Sequence, residues 1–150
     1  MTIKLTWEPD GTVTYFSGEI TLQALTDLYV QLTSDPRIVS STYSIYCCEP
    51  GARLNFDEDD FNKITELEKA AHVTQRQIVW VVVTKDPLIK EQVGRMYFEN
   101  PIMICDEISQ ARDYIKSLLS ANVNDLDATQ KLAKTIMGLT EANKIKKTLN

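Results

Sequence analysis

The chain has 150 residues, 43% of them hydrophobic and 25% charged, which is room for one core plus an appendage and enough apolar surface to exclude disorder along the whole length. Its net charge of −5 excludes generic nucleic-acid binding, which needs a basic footprint. Three cysteines, two of them adjacent, exclude a disulfide framework.

Ile3, Leu5 and Trp7 alternate with Lys4 and Thr6, the period of a half-buried strand. Met1–Trp7 lacks the basic start and apolar stretch of a secretory leader. Glu8-Pro9-Asp10-Gly11 supplies turn chemistry, and Thr12 to Ser17 reads as the return strand of a hairpin. Thr21 is placed to cap a helix, with Ile20 and Leu25 as its hydrophobic staple. Leu22, Leu25, Leu28, Tyr29 and Leu32 form that helix's stripe, which Ser34-Asp35-Pro36 ends.

Tyr43 to Cys48 is rich in strand formers and closes at Glu49-Pro50-Gly51. On an extended strand Cys47 and Cys48 point to opposite faces. Phe56, an Asp57 cap and Phe61 make a second staple, and Phe61, Ile64, Leu67 and Ala71 continue a second buried helix face. Gln77 to Val83 is apolar without alternation, as in a strand covered on both faces. Its apolar run, Ile78 to Val83, is far shorter than the roughly 20 residues of a membrane span. Asp86-Pro87 opens a third helix with Ile89, Val93, Met96 and Tyr97 inward, stopping at Asn100-Pro101. Ile102 to Cys105 is a short strand, and Asp106 caps a fourth helix that buries Ile108, Ala111, Ile115, Leu118 and Leu119.

The expected fold is therefore α/β. It is a single mixed sheet of about five strands, an N-terminal hairpin followed by β-α units, with about four helices over residues 1–120. Residues 121–150 read as a separate, basic, amphipathic helical extension. From Leu126 on, five lysines against Asp127 and Glu141 leave +3, so the rest of the chain carries −8. Ala128, Leu132, Ile136, Leu139, Ala142, Ile145 and Leu149 recur every 3.5 residues on average, the period of a coiled-coil seam. Gly138 inside that stripe costs about 1 kcal/mol relative to Ala. Leu132, Ile136, Leu139 and Ile145 are thus a candidate association helix for a homodimer or another protein, or one that packs back on its own domain.

The hairpin running into Phe16-Ser-Gly18-Glu19-Ile20-Thr21, the acidic helix start after the third strand and the apolar fourth strand form one pattern with the ending Ile104-Cys-Asp106-Glu107-Ile-Ser-Gln-Ala111-Arg112-Asp-Tyr-Ile115. Over roughly residues 3 to 119 this pattern resembles the SpoIIAA-like branch of the STAS superfamily, the anti-sigma-factor-antagonist domains. The resemblance implies a cytoplasmic regulatory or adaptor module acting by protein contact rather than an enzyme. Regulatory members are phosphorylated on a serine in an Asp-Ser-Ser/Thr-Gly motif at the start of the second helix. The matching stretch here is Asp57-Glu58-Asp59-Asp60, with Glu58 where that serine would stand. A carboxylate carries about one negative charge, where a phosphate carries nearly two and three acceptor oxygens, so Glu58 imitates phosphoserine poorly.

Asp57, Glu58, Asp59 and Asp60 are accordingly a candidate partner surface. The plainer reading is that first-turn carboxylates favour the positive end of a helix, and the run lacks the spaced ligands of a calcium loop. His72, the single histidine, falls near a helix end with no Cys or His at ligand spacing. The cysteine pair is not a Cys-x-x-Cys motif, and the five glycines are too dispersed for a phosphate loop. The expectation is no catalytic residue, no cofactor and no metal, with a protein partner and no integral membrane association. The alternative is a small carrier or sensor of an apolar ligand held between sheet and helices, lined by strand aromatics among Trp7, Tyr15, Tyr43, Tyr46 and Trp80.

Overall fold

The computed structural model describes residues 1–74, 78–96 and 102–120, without the side chains of 71–74. The N-terminal hairpin is formed by β1 (Thr2–Glu8) and β2 (Gly11–Ser17), in the register that sets Ile3 opposite Phe16 and Glu8 opposite Gly11. A Cβ on Gly11 would lie 2.5 Å from the Tyr43 ring and from its carbonyl oxygen, so the turn demands glycine for space rather than for an unusual φ. Two residues, β3 (Glu19–Ile20), precede α1 (Leu22–Ser34). The Thr21 hydroxyl accepts from the Ala24 N–H, the cap expected from the sequence.

A short 3-10 turn over Pro36–Ser40 leads into β4 (Tyr43–Cys48). Then come β5 (Arg53–Leu54), α2 (Glu58–Thr74), β6 (Val79–Val83), α3 (Pro87–Arg95), β7 (Ile102–Cys105) and α4 (Ile108–Ser120). The main sheet runs β1-β2-β4-β6-β7, with only the hairpin antiparallel, and β3 and β5 form a separate two-stranded parallel ladder. Mixed pairing and alternating helices make this the expected α/β architecture, with the small ladder as an addition.

The period of two divides the core. Phe16, Trp80, Val82 and Ile102 face one side, where they pack with Leu28 and Leu32 of α1 and with Ile89 and Val93 of α3. Val13, Ile45, Cys47, Val81 and Cys105 face the other, against Ala111 and Ile115 of α4. Cys47 and Cys48 therefore separate onto opposite faces as the strand alternation requires. Burial pushes both thiols up, to about 11 and about 12, which keeps them protonated and inert. Two hydroxyls on the inner face, Thr12 and Ser44, are satisfied by each other at 2.8 Å.

The second face is tied together at its rim. Arg112 donates two bonds to the Glu8 carboxylate at 2.9 and 2.8 Å, and the Tyr43 hydroxyl donates a third at 2.5 Å. The guanidinium holds Glu8 below the usual carboxylate range, while burial and the nearby carboxylate push the Tyr43 phenol up to about 12. The group joins β1, β4 and α4, and each of these three polar side chains has a partner, so it reads as a clasp rather than a site.

Two expectations are corrected. The third helix stops at Arg95, before Asn100-Pro101; Met96 is already extended, behind a Gly94 that weakens the last turn by about 1 kcal/mol relative to Ala. Asp106 does not cap α4, which begins at Ile108. Its carboxylate pairs with Lys90 of α3, and the Gln110 side chain accepts from the N–H groups of Asp106 and Glu107 at 3.0 Å each. A cation across the loop outcompetes the backbone for the acid. Residues 121–150, with the candidate association helix, lie outside the described residues.

Candidate functional site

The acidic stretch at the start of α2 resolves into two roles. Asp57 Oδ1 accepts from the Asp60 N–H at 2.8 Å, and Asp60 Oδ2 accepts from the Asp57 N–H at 3.1 Å, a reciprocal capping box. Phe56 and Phe61 meet edge to face across it, 5.8 Å between centroids. Asp57→Ala should therefore cost about 0.5–2 kcal/mol of stability in urea unfolding. A variant as stable as the parent would show that the exposed cap is dispensable. Glu58 and Asp59 are exposed and make no side-chain hydrogen bond or ion pair among the described residues. His72 falls in the last turns of α2, and its side chain lies outside the described residues.

The feature with chemical content lies deeper. Between the inner sheet face and the helices is a cavity of about 70 Å³, partly open to solvent. Phe16, Tyr46, Cys48, Val82 and Ile102 line it from the sheet. Leu25, Leu28 and Tyr29 of α1 and Ile64 and Glu68 of α2 line it from the helices. Ile20, Leu54, Phe56, Val93 and Met96 complete the wall. Its volume is about half the ~150 Å³ of an engineered apolar cavity that holds benzene.

Two buried, unpaired polar groups break this largely apolar lining. Glu68 is 7% exposed, and its Oε1 has no hydrogen-bond partner. Burial alone pushes its carboxyl up to about 7 from the ordinary 4.5. The Tyr46 hydroxyl is likewise buried without a hydrogen-bond partner, and burial pushes its phenol well above its ordinary range. Ser44 opposes that shift weakly, but the geometry gives the hydroxyl no bond. An unpaired donor and an unpaired carboxyl beside one cavity depart from the rule that buried polar groups are satisfied.

Sequence reasoning missed Glu68. It assigned the inward position to Leu67, which is only half-buried. The signal was present: Glu68 stands seven residues after Phe61 and four after Ile64, on the stripe of a 3.6-residue period. Of the five strand aromatics, Tyr46 alone lines the cavity. Trp80 and Tyr43 are buried in the two cores, and Trp7 stacks under the Arg37 guanidinium at 4.3 Å.

Among the described residues no three or more His, Cys, Asp or Glu are grouped to hold a metal ion, and no helix is long and apolar enough to cross a membrane. No protein-family model and no curated protein matches the chain. Among solved structures, it is similar to the Bacillus cell fate determinant SpoIIAA in its phosphorylated form. The identity is 13% and the TM-score 0.48, over 76% of this chain and 99% of that one.

Proposed function

We propose that the domain is a non-enzymatic binding module, a carrier or sensor that holds a small, largely apolar ligand in the cavity between the sheet and helices α1 and α2. One observation carries this reading: an otherwise apolar cavity keeps a buried, unpaired Glu68 on its wall. Protein interiors pack densely, and a purely structural core here would gain by filling the space and replacing the carboxyl with a hydrocarbon. A thermal-shift screen of small apolar and amphiphilic compounds, with native mass spectrometry of the protein as purified, tests it. A ligand at a hundred times its Kd should raise the melting temperature by about 5–10 °C. If no compound binds, and Leu28→Phe fills the space and stabilises the fold, the cavity is a packing void.

A second reading, regulation through protein contact, is favoured by the exposed Glu58 and Asp59 beside a spent capping box. In this reading the acidic helix start meets a basic partner, and the 121–150 extension carries association into a homodimer. Sedimentation of the full chain and of a chain ending at Ser120 tests the second part. A monomer in both would remove it.

A further inference from the structure

The proposed cavity leaves open which ligand its polar group is built to meet, and the charge around it narrows the choice. The described lining contains one carboxyl and no Lys, Arg or His. Burial keeps the other titratable groups on the wall of β4, the Tyr46 phenol and the Cys48 thiol, in their neutral forms, and α1 adds Tyr29. An anionic head would bring a second negative charge beside an unpaired acid, with no described cation on the wall to offset either. A buried carboxylate is stabilised by a cation that pairs with it. Aromatic faces are the other feature of the wall: Phe16, Tyr29, Tyr46 and Phe56 all line it, and such faces attract ammonium groups through the ring quadrupole. The net charge of −5 adds a field that draws cations and repels anions.

Resting on the cavity-binding reading above, we infer that the ligand is a small primary amine, its ammonium seated against the Glu68 carboxylate and its alkyl part against Leu28 and Val82. A cavity about half the size that holds benzene suits a short chain of a few carbons.

The amine binds the ionised form of Glu68, so binding expels the proton that the empty protein holds. Free Glu68 titrates at about 7, whereas an alkylammonium stays charged to roughly the range of a lysine, about 10. Affinity should therefore climb about tenfold for each pH unit up to about 7 and level off above it.

The test titrates full-length protein with n-butylamine, 1-butanol and butyrate by NMR between pH 5.5 and 8.5. At pH 8 the amine should bind at least about tenfold more tightly than either comparison, and it alone should show the pH dependence. Glu68→Gln should lose that advantage and flatten the amine's profile. The wild-type profile carries the same test should the variant fold poorly. Equal binding of amine and alcohol with no effect of Glu68→Gln, or a preference for butyrate, would overturn the amine assignment while the cavity reading stood. If none of the three binds, the amine assignment falls, and the cavity reading is decided separately by the thermal-shift screen and Leu28→Phe.

Discussion

Glu68→Gln should stabilise the fold at pH 8 by about 3 kcal/mol, while having little effect near pH 4. Burial raises the folded-state titration of this carboxyl from 4.5 to about 7. Between those values the folded chain keeps a proton that the unfolded chain has released. Its contribution is therefore fully present below about 4.5 and lost as pH rises through about 7. Gln keeps the volume and the polar end but cannot ionise, so the variant escapes the loss. Carboxylates held low by cations, such as Glu8 and Asp106, act in the opposite sense at acid pH. The difference between parent and variant across the pH range isolates Glu68 from them. A stability difference that does not change between pH 4 and 8 would show that Glu68 is solvated in solution and that α2 does not seal it in.

Trp80→Ala is the largest loss expected, about 3–5 kcal/mol of unfolding free energy in urea. Trp80 is 5% exposed on β6, flanked in the main sheet by β4 and β7. Its indole stacks on Tyr46 at 5.4 Å and 20°, and Tyr29 of α1 tilts against it at 6.3 Å. Truncation opens a void beneath α1 and removes the ring that supports Tyr46. Since whole domains are stable by only about 5–15 kcal/mol, such a loss brings the chain close to unfolding at 37 °C. A cost below about 1 kcal/mol would mean that Tyr29 and Tyr46 collapse into the gap.

Most of the fold was legible because its signals are local. The hairpin rests on three alternating residues and a turn; the Thr21, Asp57 and Asp86 caps each bond within three residues of themselves. What escaped depends on neighbours far along the chain. The β3–β5 ladder pairs Glu19 with Arg53, two residues from each segment, and no period exists in so short a run. Asp106 reads as a cap until Lys90, sixteen residues earlier, takes its carboxylate. Glu68 sits in Thr65-Glu66-Leu67-Glu68-Lys69, where polar neighbours disguise an inward position as part of a solvated face. The candidate site was half visible: Tyr46 was among the aromatics offered for a cavity, while its acidic counterpart looked like surface.

The second face of the sheet has a further consequence for how the protein is made. Among the described residues, α4 is the helix that covers Val13, Ile45 and Val81, and it is the last of the described elements. Ala111 follows Ile45 by 66 residues, which at ribosomal rates of ~5–20 residues per second is roughly 3–13 s of synthesis. For that interval the emerging chain carries the apolar strands β2 and β4, joined by β6 once Val83 is made, without their lid. Only when Arg112 has been made can it reach back 104 positions to Glu8 and close the first strand against α4. The nascent protein is thus stickiest late in translation, and a chain stalled before α4 is a natural client for a chaperone.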